Sequence, residues 1–358
     1  MRVIAYLTEP ASYTIDLVRS VHEKRSIFYR FLFKNSFTKG SKDSTPHFLF
    51  LDDYNLITRF RILKSDYLLH DAIIFNGYDS ISFLFLWIIH ITSKIKKPIA
   101  IESDTPLKIP NFFLKRIIKK VYLNYLFKNS NLHALVGGTL HQVNLFKYYG
   151  MPAKRIHFLP MVIDVKKFNL AVNRNRSKIF TFLFVGRFIP LKQIDVIISE
   201  FLLVFENKFE VQLVLIGDGE CYKPLHQQYS NYKNIIFKGK LFGQDLINEY
   251  EKAHVLVLAS NNENWGLVIN EAMAAALPVL SNKGIGANHD LIDDKQTGLI
   301  FDSKLKGDLA QKMNLIYNDN DLFMNFAENA YNKMHNHWNF NLYDSQLQIA
   351  IKKMINDK

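Results

Sequence analysis

The chain has 358 residues, 48% of them hydrophobic and 22% charged, which is enough for two domains of ordinary size and unlike the composition of a disordered protein. The net charge of +12 is concentrated: residues 1–170 carry 25 Lys+Arg against 12 Asp+Glu, while residues 171–358 carry 20 against 21. A polyanionic partner is therefore expected for the first half, and the single cysteine, Cys221, excludes an intramolecular disulfide and argues against a structural zinc site.

The first element expected is a buried strand, Val3–Leu7, ended by Glu9 and Pro10 and too short for the core of a signal peptide. Ala72–Phe75, Pro98–Ile101 and Ala134–Val136 read as further short buried strands. Ile81–Ile91 is apolar apart from Ser82 and His90, but a bilayer span needs roughly 20 residues, so a buried core helix is expected. Phe112–Lys128 has helical periodicity. Leu114, Ile117, Ile118, Val121 and Tyr125 share one face, and Lys115, Arg116, Lys119 and Lys120 the opposite one. That pattern fits an ordinary surface helix or an interfacial helix on anionic lipid.

A polar, basic stretch from Val165 to Lys178 reads as a linker, after which the alternation restarts. Strands are expected at Ile179–Val185, Val211–Ile216, Asn234–Phe237, His254–Leu258 and Pro278–Ser281. No internal repeat is visible. The fold expected is α/β: two Rossmann-like, doubly wound domains facing across a cleft, residues 1–172 and 173–340, with 341–358 a helix packing back on the first.

Ligands of such sheets sit at the carboxyl ends of strands, and three loops there carry candidate chemistry. After the strand ending at Val185 comes Gly186-Arg187-Phe188-Ile189-Pro190-Leu191-Lys192, whose two cations suit phosphate oxygens. Leu215-Ile216-Gly217-Asp218-Gly219-Glu220 places glycines where backbone passes close to something. After Leu258, the run Ala259 to Val279 reads as a polar loop and a helix starting near Gly266, whose first-turn N–H groups suit a diphosphate. Glu263 precedes that helix and Glu271 lies inside it; two carboxylates beside an anion site make sense if they face sugar hydroxyls.

These residues resemble retaining glycosyltransferases of family 4, which have the GT-B architecture. The resemblance rests on Glu263 and Glu271 around Trp265-Gly266-Leu267, on Gly186, Arg187 and Lys192, on Gly217 and Gly219, on Thr297-Gly298-Leu299, and on a closing segment of the first domain, Arg155 to Pro160 with Ile163-Asp164 and Phe168. It implies transfer of a hexose-type sugar from a nucleoside diphosphate to an acceptor hydroxyl with retained anomeric configuration. In that reading Arg187, Lys192 and the N–H groups at Gly266 and Leu267 neutralise the diphosphate, and Glu271 holds the ribose. Glu263 holds the donor sugar, and Gly186, Gly217, Asn264 and Trp265 line the donor pocket. No metal or other cofactor is expected. The partners expected are a nucleotide-sugar donor and a glycan or lipid-linked acceptor, with an anionic membrane surface expected from the basic first half and no nucleic acid. The single cysteine points to a reducing, cytoplasmic location, and the basic first half to a peripheral place on the inner face of the membrane, in envelope or surface polysaccharide synthesis.

The chain departs from the family pattern at four places. Ala276 replaces a glycine before Pro-Val, a change expected only to tighten packing, and Gln193 replaces the glycine after the lysine. Asp104 stands where many members have a histidine at an N-domain strand end, which puts the general base in question. The loop Thr8-Glu9-Pro10-Ala11-Ser12 lacks the usual glycines. Asp319-Asn320-Asp321 spells the motif of a metal-dependent transferase fold, but its place between helices points to capping. His133, His141, His157 and His289 show no metal-ligand spacing. Rival readings are a nucleotide-sugar epimerase of the same architecture and a non-catalytic sugar or polyanion binder.

Overall fold

The computed structural model describes residues 1–34, 48–168, 178–292 and 295–356, in two compact units. The first comprises residues 1–164 and 340–358, the second 165–339. The boundary thus lies at Asp164/Val165 rather than 172/173. Val165–Phe168 forms a 3-10 turn, and the Phe168 ring meets Tyr250 edge-on at 5.5 Å, which ties the turn to the second unit. Residues 169–177 of the expected linker lie outside the described residues.

The first unit alternates β1 (Val3–Leu7), α1 (Ser12–Leu17), β2 (Phe28–Phe31), α2 (Leu56–Leu69), β3 (Ala72–Asn76), α3 (Ile81–Thr92), β4 (Ile99–Ser103), α4 (Phe113–Lys128), β5 (Leu132–Val136), α5 (His141–Tyr148) and β6 (Ile156–Phe158). All pairings are parallel, in the order β2-β1-β3-β4-β5-β6. β1 and β5 are buried along their whole length, as expected of strands covered on both faces.

The second unit contains β7 (Phe180–Val185), α6 (Ile194–Phe205), β8 (Val211–Ile216), α7 (Tyr222–Tyr229), β9 (Ile235–Gly239), α8 (Gly243–Lys252), β10 (Val255–Leu258), α9 (Leu267–Ala274), β11 (Val279–Asn282), α10 (Asn288–Leu291), β12 (Gly298–Phe301), α11 (Asp308–Asn318) and α12 (Asn320–Asn332). Its parallel sheet runs β12-β11-β10-β7-β8-β9. The Asp319 side chain accepts from the Leu322 N–H at the start of α12, so this acid caps a helix. The last helix, α13 (Phe340–Asn356), belongs to the first unit. It buries Tyr343, Leu347, Ile351 and Met354, and Asp344 accepts from Arg25 Nε at 2.8 Å.

Three strands lack a clear sequence signal: β2, β6 and β12. Edge strand β2 carries Arg30, whose guanidinium is held by Asp66 through two bonds of 2.6 and 2.8 Å. His133 and His157, on neighbouring β5 and β6, are buried and hydrogen-bonded to each other at 3.1 Å.

Two helices differ from expectation. α3 is not a buried core helix: Phe83, Leu86, Trp87 and Ile89 face inward, but Ile81, Leu84, Ile88 and Ile91 are exposed. In α4 the core side is formed by Leu123, Leu126 and Phe127, and the apolar stripe from Leu114 to Tyr125 faces solvent.

Candidate functional site

In a doubly wound sheet the ligand crevice opens where the strand order reverses. In the second unit that point lies between β7 and β10, which are adjacent although separated in sequence. The loops after these two strands are bound together. The Asn261 N–H donates to Leu191 O at 3.0 Å, and Lys192 forms an ion pair with Glu263. Lys192 is buried, whereas Arg187 is exposed and its guanidinium has no ion-pair or hydrogen-bonding partner among the described residues. Of the two cations, then, one is already neutralised by a carboxylate and the other is free to meet an anion.

Gly266 caps α9 in a left-handed conformation, φ +100°, which glycine adopts without a steric penalty. This turn starts the eight-residue helix at the strand–loop junction, where the Leu267 and Val268 N–H groups have no partner within the helix while Ile269 N–H bonds back to Gly266 O at 2.9 Å. The preceding loop is held by backbone bonds to the segment after β11: Gly286 N–H to Glu263 O at 3.0 Å and Ala287 N–H to Trp265 O at 3.1 Å. Beneath it the Asn282 amide donates to Ser260 O at 3.1 Å and to Ser303 Oγ at 3.1 Å, and Asn288 donates to Asn282 O at 2.7 Å. Sequence reasoning missed this buried network. Its only sequence signal is a polar strand end, Ser281-Asn282, after an apolar run.

The expected role of the Trp265 side chain is corrected. It is 2% exposed, donates from Nε1 to Asn270 Oδ1 at 2.9 Å and stacks on Trp338 at 5.8 Å. The indole braces the helix entrance from below and is not a pocket wall. Asn264 and Leu267, by contrast, are partly exposed at that entrance.

Gly217 also has a definite packing reason. Its φ is +139°, and a Cβ there would stand 1.8 Å from Gly186 O. The β7 and β8 loops are in backbone contact, with Gly186 N–H on Ile216 O at 3.0 Å and Phe188 N–H on Asp218 O at 2.9 Å. The close neighbour of these glycines is the Gly186–Phe188 backbone itself.

Glu271 lies inside α9 and accepts from Tyr250 Oη at 2.7 Å. Burial pushes its carboxyl up to about 7, and the Tyr250 hydrogen bond opposes the rise only in part. Two departures from the family pattern fall on left-handed residues, Gln193 at φ +49° and Ala276 at φ +57°. The Ala276 substitution therefore loads backbone strain as well as altering packing.

In the first unit the strand order reverses at β1 and β3. A cavity of about 240 Å³ opens there, lined by Thr8, Glu9, Tyr13, Asn76, Glu102, Asp104 and Tyr343 among others. Thr8 Oγ1 donates to Asn76 Oδ1 at 2.7 Å across the switch point. Burial, with the Asp104 charge adding to it, pushes Glu102 up to about 7, while hydrogen bonds from Asn76 and Tyr343 pull the other way. Burial beside Glu9 raises the Tyr13 phenol to about 12. Asp104 thus stands in a cluster with Glu9 and Glu102. Tyr343 arrives from α13, far along the chain, and no local pattern pointed to it. Among the described residues no group of three or more His, Cys, Asp or Glu is placed to hold a metal ion.

Two parallel, doubly wound sheets, each with its site at the strand-order reversal, define the GT-B class of fold. The crystal structure of HepE from Anabaena in complex with UDP superposes with a TM-score of 0.79 over 98% of this chain and 100% of that one, at 16% identity. Sucrose-phosphate synthase from Thermosynechococcus elongatus gives 0.75 over 100% of both chains, at 15% identity. Residues 165–333, almost the whole second unit, match the family model described as "Glycosyl transferases group 1". An uncharacterized glycosyltransferase of Methanocaldococcus jannaschii is 28% identical over 150 residues, 41% of this chain and 41% of the relative. The poly(glycerol-phosphate) alpha-glucosyltransferase of Bacillus subtilis is 24% identical over 241 residues, 66% of this chain and 35% of the relative. The chain thus spans less than half the length of these curated relatives.

Proposed function

We propose that the protein is a retaining glycosyltransferase that moves a hexose-type sugar from a nucleoside diphosphate to an acceptor hydroxyl in surface polysaccharide or glycolipid synthesis. The observation that carries this reading is the β7/β10 junction. There the unpartnered Arg187 guanidinium, the Lys192–Glu263 pair and the Gly266-capped start of α9 stand on loops bonded to one another. In the transfer, the bond from the anomeric carbon to the diphosphate breaks and its electron pair leaves with the diphosphate. Arg187, Lys192 and the first N–H groups of α9 are fixed donors for that developing charge. Glu263, already holding Lys192, can take hydroxyls of the departing sugar while keeping the lysine in place. Glu271, held by the buried Tyr250 hydroxyl, suits the ribose hydroxyls and accepts them in its ionised form. Gly186 and Asn264 would line the donor pocket, and Gly217 would shape it through its packing on Gly186.

The cavity at β1/β3 is the proposed acceptor site, because its carboxylates accept from hydroxyl groups and its floor is apolar at Leu7, Leu159 and Val162. Asp104 would orient the acceptor hydroxyl or take its proton. The cations and the helix N-terminus do the work of a metal in this reading, so turnover should survive chelation by EDTA. Calorimetric titration with several nucleoside diphosphates and their sugars tests the proposal. Tight binding of one nucleotide, and a product that keeps the donor's anomeric configuration by NMR, is the expected result. No nucleotide binding, or an isomerised donor with no acceptor consumed, overturns it.

A further inference from the structure

A surface helix normally turns its apolar stripe to the core and its charges to water. α4 exposes both over its first two turns. Leu114, Ile118, Val121 and Tyr125 are 55%, 60%, 65% and 61% exposed, and Phe112 and Phe113 at the helix entrance are 62% and 64% exposed. The last turns are anchored in the core through Leu123, Leu126 and Phe127, and the middle is held by Lys119 on Lys108 O and Tyr122 on Tyr78 O. The helix therefore projects a continuous apolar ridge from the first unit. Lys115 and Lys120 stand on either side of that ridge, Arg116 and Lys119 lie on the opposite face, where Lys119 donates to Lys108 O at 2.8 Å, and there is no acid from Phe113 to Lys128.

Neighbouring α3 extends the same surface. Ile81, Leu84, Ile88 and Ile91, with Ile95 just beyond, recur at helical spacing and are all exposed, and the two helices meet edge-on at Trp87 and Tyr125, 6.4 Å apart. Lys94, Lys96 and Lys97 follow α3. No described helix is long and apolar enough to cross a membrane. An apolar ridge several turns long, bordered by Lys115 and Lys120 with Lys94, Lys96 and Lys97 nearby against Asp79, fits a partner that is both apolar and anionic. A second copy of the chain offers apolar surface but sets five cations against five. A neutral protein groove leaves the cations uncompensated.

We propose that α4, with the outer stripe of α3, docks the first unit on an anionic bilayer surface. Phe113, Leu114, Ile118 and Val121 enter the boundary between headgroups and acyl chains, and Lys115 and Lys120 beside them reach the lipid phosphates. The site described above supplies none of these residues, so this docking stands or falls apart from the transferase reading.

The test is flotation of the full chain with phosphatidylcholine vesicles, with and without phosphatidylglycerol, at low and high ionic strength. The expected result is recovery with the anionic vesicles only, weakened by salt. The Ile118→Asp/Val121→Asp double variant should lower the bound fraction about tenfold or more, because two apolar anchors are lost and two anions gained. Lys115→Gln/Lys120→Gln should lower it less and flatten its salt dependence. Both variants expose the altered positions to solvent, and an unchanged thermal unfolding profile confirms that they fold. Equal flotation with neutral vesicles, or flotation of the Ile118→Asp/Val121→Asp variant at the wild-type level, overturns the proposal. So does a wild-type dimer in light scattering that this variant abolishes while no vesicle binds either protein.

Discussion

Each unit reverses its strand order once, at β1/β3 in the first and β7/β10 in the second, and the loops at the two points are built differently. At β7/β10 the backbone does most of the work. Gly186, Gly217, Glu263, Trp265 and Gly286 are joined by main-chain bonds, and an Asn–Ser network lies underneath. At β1/β3 side chains do it: Thr8, Asn76, Glu102 and Tyr343 close round a cavity with two further acids. A site made of crossing backbones positions donors rigidly and tolerates little change. A site made of side chains can be re-lined for another ligand without moving a strand. The charge divides along the same boundary, with the cationic excess and the exposed apolar helices both in the first unit.

The largest effect that would sharpen this contrast is expected from Gly217→Ala. A Cβ 1.8 Å from Gly186 O forces the β7 and β8 loops apart, and the residue sits at φ +139°. A loss of about 3 kcal/mol or more in the second unit is expected by denaturant unfolding. Asn76→Ala at the first reversal should cost clearly less, and equal losses would break the comparison.

Next in size are the cations. Arg187→Ala and Lys192→Ala should each remove roughly 2–4 kcal/mol of transition-state stabilisation, read as a fall in kcat/KM. Arg187→Ala should leave the unfolding midpoint unchanged, since the side chain is exposed; Lys192→Ala should lower it, since Glu263 is left without its partner. Full activity in either variant removes the assigned role.

The two glutamates should separate in calorimetry. Glu271→Ala should weaken the free nucleoside diphosphate and the full donor alike, by about 1.5–3 kcal/mol. Glu263→Ala should leave the free nucleotide bound at least as tightly, because Lys192 is released, while weakening the sugar-bearing donor. A loss of free-nucleotide affinity confined to Glu263→Ala reverses the assignment.

The pH response should also differ between the units. Burial lowers His22 and His90 in the first unit to about 4. Unfolded, these imidazoles take up protons below about 6.5, so the first unit should lose stability as pH falls from there towards 4. Glu102 and Glu271, raised to about 7, act the other way: the folded state keeps protons that the unfolded state has released, and stability declines as pH rises from about 4.5 to 7. Glu271→Gln should remove the alkaline-side decline of the second unit, as followed by hydrogen exchange at several pH values. A second unit that also loses stability between pH 6.5 and 4 contradicts the contrast.

The smallest effect concerns Gln193 and Ala276. Glycine at either left-handed position should relieve roughly 1 kcal/mol of strain, offset by a more flexible unfolded chain, for a net gain of a few tenths to about 1 kcal/mol in thermal unfolding.

The sequence by itself determined the two doubly wound units, nine of the twelve strands and the position of every loop at β7/β10, because these follow from local runs of apolar residues and from the order of short motifs. It did not determine which face of α3 or α4 meets solvent. Periodicity defines a stripe but not the direction it points, and that direction is decided by the neighbouring elements. Nor could it show that Lys192 and Glu263 are one ion pair, that the Trp265 indole turns to Trp338, or that Tyr343 reaches Glu102 from the last helix. Those pairings join residues far apart in the chain: the reversal of strand order brings β10 beside β7, and the packing of the segment after α12 against α9 and of α13 against the first sheet brings the other two together.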